Sequence, residues 1–156
     1  MTRIYLDTAY VAKVYLNETD SLQVRKLIQS AAASYTSALT VAELACTFHR
    51  HRRESTLDQR TERLVRDKFL EDVDAERWLM VPVSDRILRR VELLARTMPS
   101  DTLLRAGDAI QLVSAMDAGF HEIWSNDRRL LAAAKHFGLT GRSVSEQSRK
   151  FLIPAK

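Results

Sequence analysis

The sequence predicts a three-layer α/β domain with a mainly parallel sheet of about four or five strands flanked by helices. Two observations carry that prediction. The period of the apolar residues switches repeatedly between that of a short buried strand and that of a helix, so strands and helices alternate along the chain. Breakers are few: 3 Pro and 4 Gly in 156 residues leave little room for long loops. No repeat, low-complexity stretch or linker divides the chain, and its length suits one domain over residues 1–156.

The elements follow in order. Residues 3–6 read as a buried strand ending at Asp7, and Val11, Val14 and Tyr15 then recur at helical spacing. Leu22, Val24, Leu27 and Ile28 mark a helix over 21–33. Residues 35–37 form a second strand, followed by a helix over 41–53. A further helix over 57–78 carries Leu64, Val65, Phe69, Leu70 and Val73. Residues 79–83 make a third strand, which Pro82 places at an edge or near its own end. Ser84 or Asp85 caps a helix bearing Ile87, Leu88, Val91, Leu94 and Ala95. The next helix, over 107–118, stops at Gly119. Residues 122–125 form a fourth strand, and a last helix over 127–137 stops at Gly138. Residues 143–144 suggest a fifth, very short strand.

Composition narrows the function classes. A chain that is 46% hydrophobic and 28% charged reads as an ordinary soluble globular protein. No apolar run reaches the roughly 18 residues of a membrane span, and Asp7 arrives too early for a secretory signal. The lone Cys46 permits no intramolecular disulfide and no cysteine metal cluster, which points to a reducing cytoplasm. A net charge of +4, with arginine dominating 24 basic residues, leans weakly toward a polyanionic partner.

Four acids stand out. Asp7 ends the first strand, Glu43 opens the helix after the second, and Asp127 follows the fourth strand by two residues. Asp108 lies in the first turn of the helix that feeds the fourth strand. That helix runs antiparallel to the strand, so its N-terminus meets the same carboxyl edge of the sheet, where sites form in such folds. Each acid has a local explanation. Asp7, Asp108 and Asp127 suit helix N-termini, and Thr40 to Glu43 has capping-box spacing. Capping does not, however, require all four to share one rim. Four ionised carboxylates placed together repel each other, and a hard divalent cation with oxygen ligands, Mg²⁺ or Mn²⁺, resolves the conflict. Such a site suits phosphodiester hydrolysis.

The segments around these acids resemble the PIN-domain family, and within it the VapC toxins. Ile4-Tyr5-Leu6-Asp7-Thr8 is similar to the family's opening strand. Ser37 to Leu44 resembles its second motif, a small-residue strand end leading to Glu. Gly107-Asp108-Ala109 opens an alanine-containing helix like the third motif. Trp124-Ser125-Asn126-Asp127-Arg128-Arg129-Leu130 resembles the fourth. The order and spacing match over about residues 3–144. The resemblance implies a parallel sheet flanked by helices and endonucleolytic, Mg²⁺- or Mn²⁺-dependent cleavage of RNA. It further implies a VapB-like antitoxin as partner, and homodimers. It makes Asp7, Glu43, Asp108 and Asp127 the metal-binding acids. Ser125 would orient the fourth acid or a water, with a weaker similar role for Thr8. Two positions depart: Ala9 stands where many members place Ser or Asn, and Gln111 where His is common.

Other features have plainer readings. The run His49 to Arg53 suits a solvated helix C-terminus, with RNA phosphate contact as the alternative. Arg128 and Arg129 adjoin Asp127 and suit phosphate guidance. Cys46 is expected to be a buried, inert thiol, and Trp78 and Trp124 core residues. A phosphotransfer domain is disfavoured by Ala9, where a second Asp would stand, and by the lack of an acidic pair before Asp7. No Gly-rich strand–helix turn supports a nucleotide cofactor. The rival from another class is a non-catalytic RNA-binding or scaffold module on the same fold.

Overall fold

The computed structural model describes residues 2–145. Five short strands, β1 (Arg3–Tyr5), β2 (Ala33–Ser37), β3 (Leu79–Val81), β4 (Glu122–Trp124) and β5 (Thr140–Arg142), alternate with seven α-helices among the described residues. The helices are α1 (Thr8–Tyr15), α2 (Ser21–Ser30), α3 (Leu39–Arg53), α4 (Gln59–Asp74), α5 (Asp85–Ala95), α6 (Ala106–Asp117) and α7 (Arg128–Ala134).

All strand pairs are parallel: β1 with β2, β2 with β3, and β4 with β5. A parallel bridge between Leu6 and Trp124 joins the two sets, with the Asp7 N–H donating to the Trp124 carbonyl at 3.1 Å. The spatial order is therefore β3-β2-β1-β4-β5. The chain winds outward from β1 in one direction, then returns to fill the other side. Between β1 and β4 lies the switch point, where a crevice opens beyond the strand ends.

The pleat sorts the core into two faces. Ile4 and Leu6 join Val11, Val24, Leu44, Phe48, Phe69 and Trp78 on the face covered by α1 to α4. Tyr5 points the other way, to Ile87, Leu112, Val113, Ile123 and Leu130 under α5, α6 and α7. Trp124 and Ile123 divide between the faces in the same manner. This is the expected three-layer architecture.

Several boundaries differ from the sequence reading. The second helix ends at Ser30, because Ala33 already belongs to β2; the helix expected over 57–78 spans Gln59–Asp74. The last helix tightens into a 3₁₀ turn, Lys135–Phe137, before Gly138 at φ +69°. The fifth strand is Thr140–Arg142 rather than 143–144. A Cβ on Gly141 would lie 3.1 Å from the Leu131 carbonyl oxygen, so this strand packs by close backbone approach, which apolar periodicity cannot register. Pro82 falls just past β3, an end strand of the sheet, and Trp78 and Trp124 are both buried.

Candidate active site

Asp7 leaves β1 at the switch point, with only 4% of its surface exposed. It caps α1, its Oδ1 accepting the Tyr10 N–H at 3.0 Å. Its Oδ2 accepts the Ser125 hydroxyl at 2.5 Å, and Ser125 Oγ in turn accepts the Asp127 N–H at 2.9 Å. One buried hydroxyl thus ties the ends of β1 and β4 together. Burial pushes the Asp7 carboxyl up to about 7. The bonds from Ser125 and Tyr10 oppose that rise, while Asp127 and Glu43 add repulsion. Ser125 therefore holds the first acid's carboxylate and the fourth acid's backbone.

Glu43 lies one turn into α3. The expected capping box is absent, because α3 starts at Leu39 with Ala38 as its N-cap, leaving Thr40 inside the helix. Thr40 Oγ1 instead meets the hydroxyls of Thr36 at 2.8 Å and Thr8 at 3.1 Å. Glu43 Oε2 accepts from the Thr8 hydroxyl and from Gln111 Nε2, the latter at 3.1 Å. Gln111 is the hub of this half. Its Nε2 is also within reach of Thr8 and Thr40, and its Oε1 accepts the Tyr5 hydroxyl at 3.0 Å. Burial raises the Tyr5 phenol far above its ordinary range, so it stays a donor. Gly107, at the start of α6, leaves the space Glu43 occupies: a Cβ there would stand 2.7 Å from Glu43 Oε1.

Asp108 and Asp127 are held differently. Arg105 donates to Asp108 through Nε at 2.8 Å and Nη2 at 3.2 Å, and Nη2 also donates to Asp127 at 2.5 Å. Asp127 further caps α7, accepting from the N–H groups of Arg129 at 2.8 Å and Leu130 at 3.4 Å. Partial burial raises its pKa, but these N–H donors and the Arg105 guanidinium outweigh it and leave the carboxyl below the usual range. The two acids in turn hold Arg105 more firmly protonated than usual.

All four acids line one cleft of about 560 Å³, together with Thr8, Gln111, Arg50, Arg105 and Gly107. Cys46 also lines it and is exposed, contrary to the sequence expectation; α3 turns this side chain toward the opening instead of the core. In the basic run ending α3, Arg52 pairs with Glu62 at 3.4 Å and Arg53 with Glu54 at 3.7 Å, while Arg50 faces the cleft. A second pocket, about 530 Å³, is lined by Arg128, Arg129, Lys135 and His136 together with Pro99, Asp101, Thr102 and Leu103.

The all-oxygen donor set suits a hard divalent cation. Among the described residues, no three His, Cys, Asp or Glu side chains converge tightly enough to hold one as they stand. Positive charge is nonetheless present on two of these acids, as the Arg105 guanidinium on Asp108 and Asp127. Sequence reasoning missed Arg105 and the role of Gln111. Arg105 stands three residues before Asp108 at a helix start, a spacing that reaches one helical turn, and this signal could have found it. Gln111 reaches Glu43, 68 residues away, and no local signal marks such a contact.

The PIN domain family model matches residues 4–136. Comparison with curated protein sequences returns no match. Among solved structures, FitAcB from Neisseria gonorrhoeae is 17% identical at a TM-score of 0.66, covering 91% of this chain and 98% of that one. VapBC2 from Rickettsia felis, bound to a DNA fragment of its promoter, is 14% identical at a TM-score of 0.61, covering 90% and 98%. Mycobacterium tuberculosis VapC20, a toxin that cleaves the sarcin–ricin loop, is 17% identical at a TM-score of 0.62, covering 83% and 94%. These likenesses share the fold described above, and with the family match over most of its length, the chain belongs to the PIN domain family.

Proposed function

We propose that this protein is a metal-dependent endoribonuclease, the toxin component of a type II toxin–antitoxin system. The observation that carries this reading is the convergence of Asp7, Glu43, Asp108 and Asp127, from four separate elements, on one cleft at the sheet's switch point. The toxin–antitoxin complexes and the RNA-cleaving toxin among its structural neighbours support the same reading.

The four acids would hold Mg²⁺ or Mn²⁺. When bound, the cation supplies polarisation of a phosphoryl oxygen and activation of water. The chain supplies the rest. Ser125 fixes the Asp7 carboxylate, and Thr8 and Gln111 fix that of Glu43. Arg50 on one wall, and Arg128 and Arg129 beyond Asp127, offset the acids' repulsion of phosphate. The substrate we infer is RNA in a single-stranded loop or junction, because an A-form duplex buries its base edges in a deep, narrow groove. A VapB-like antitoxin, a homodimer, one domain over the whole chain and a cytoplasmic location complete the proposal. No helix among the described residues is long and apolar enough to cross a membrane.

Expression of the wild type stops growth on this reading, and expression of Asp108→Asn does not. In vitro, a structured RNA such as a tRNA is cut in its loops, while its loop-deleted form and a perfect duplex are spared. A fully toxic Asp108→Asn variant, or preferential cutting of duplex or DNA, contradicts the assignment.

A further inference from the structure

Arg105 bridges two of the four acids, with Asp108 gripped by Nε and Nη2 and Asp127 by Nη2. It is the N-cap residue of α6, yet its side chain makes no capping bond to that helix. Its side chain is 56% exposed, so it can rotate away without opening the core. In the other half of the cleft, Asp7 and Glu43 make no ion pair among the described residues; Arg50 lines the cleft without pairing with either acid. Asp7 and Glu43 are bonded there by Ser125, the Tyr10 N–H, Thr8 and Gln111, all of them neutral. The pairing that balances the acids thus rests on a group that is free to leave. Half-exposed ion pairs are weak because water screens them. A divalent cation brings twice the charge and approaches carboxylate oxygens more closely than a guanidinium does.

We propose that Arg105 is a resident counter-cation that a divalent metal must displace from Asp108 and Asp127, so that loading the site is an exchange of cations. This rests on reading the cleft as a metal site. Without metal, the Arg105-bound arrangement keeps the acids apart from one another's repulsion and keeps the fold stable. Apparent metal affinity is then lowered by the fraction of molecules in which Arg105 has already left. The freed guanidinium stays on the rim between the acidic cleft and the basic pocket, since Pro99, Asp101, Thr102 and Leu103 of its own connecting segment line that pocket. There it joins Arg128 and Arg129 as a ligand for substrate phosphate.

The test is calorimetric titration of Mn²⁺ into metal-free protein, with no RNA present, for wild type, Arg105→Gln and Arg105→Lys. Arg105→Gln is expected to bind Mn²⁺ about tenfold more tightly than wild type, with Arg105→Lys between them because an ammonium cannot grip both acids as a fork does. Metal-free Arg105→Gln should also melt below wild type yet gain more on saturation with Mn²⁺. A residue that merely braced the site would lower metal affinity when removed. Equal or weaker Mn²⁺ binding by the folded Gln variant, or by the Lys variant should the Gln variant not fold, overturns the exchange and leaves the nuclease reading standing. Absence of Mn²⁺ binding to wild type and variants alike overturns both.

Discussion

The Asp7–Glu43 half of the cleft is held by neutral donors alone, whereas the Asp108–Asp127 half adds a shared guanidinium. Asp7 is buried and fixed by neutral donors, and Glu43 shares its donors with a network reaching through Gln111 to Tyr5. Asp108 and Asp127 lie nearer the surface and share one guanidinium. The first half is built into the core, so its geometry is set when the sheet forms. The second is set in part by a charge that can be exchanged, beside the α7 cap that also fixes Asp127. Substitutions in the two halves should therefore differ in kind as well as in size.

The largest effect is on cleavage itself. Asp7→Asn and Asp108→Asn each remove a charge from the proposed cation site, and each should slow RNA cleavage by roughly a thousandfold or more in single-turnover assays. A residual rate near wild type in either variant breaks the assignment of that half.

Stability should separate the halves next. The folded-state pKa of Asp7, about 7, exceeds the ordinary value of 3.8, so the stability its neutral carboxyl contributes is complete below about pH 4 and lost as pH rises through about 7. In EDTA, Asp7→Asn should be more stable than wild type at pH 8, by on the order of 2 kcal/mol, with the gap closing toward pH 4. Denaturant melts across that window measure it. Asp127, whose carboxyl lies below the usual range, should show the opposite sign: Asp127→Asn keeps an oxygen to cap α7 but loses the negative charge and the Arg105 ion pair, and melts lower at pH 8. A comparable penalty, about 1–3 kcal/mol, is expected for Gln111→Leu, which strips the Tyr5 hydroxyl of its acceptor and Glu43 of a donor. Urea denaturation gives the value, and an unchanged midpoint would remove Gln111 from the hub.

How much of this was legible in the sequence follows the same division. Asp7, Glu43, Asp108 and Asp127 each sit beside a strand end or helix start that local periodicity marks, so their shared rim could be reasoned out before any coordinates. The partners that distinguish the halves could not. Gln111 stood out only as a departure from a family pattern, while its bonds to Tyr5, Thr8 and Glu43 depend on how α6 crosses β1 and α3. Cys46 was misplaced because an apolar helix face does not say which residues at its edge border a cleft. The strand at Thr140–Arg142 was missed because Gly141 packs by backbone and carries no apolar signal.

The smallest effect lies outside both halves. Arg129→Ala should raise the KM for RNA severalfold with little change in kcat, and lower the salt slope of binding by about 1. Equal losses in kcat and kcat/KM would instead place Arg129 in the chemical step.

In the proposed function the four acids together form one divalent-cation site. The most direct measurement is the melting temperature of metal-free protein across millimolar Mn²⁺, for wild type and Glu43→Gln. Wild type should rise by roughly 5 °C once Mn²⁺ exceeds its dissociation constant about 100-fold, and Glu43→Gln far less. A flat melting temperature for wild type, matched by the same flatness in Glu43→Gln, would contradict it.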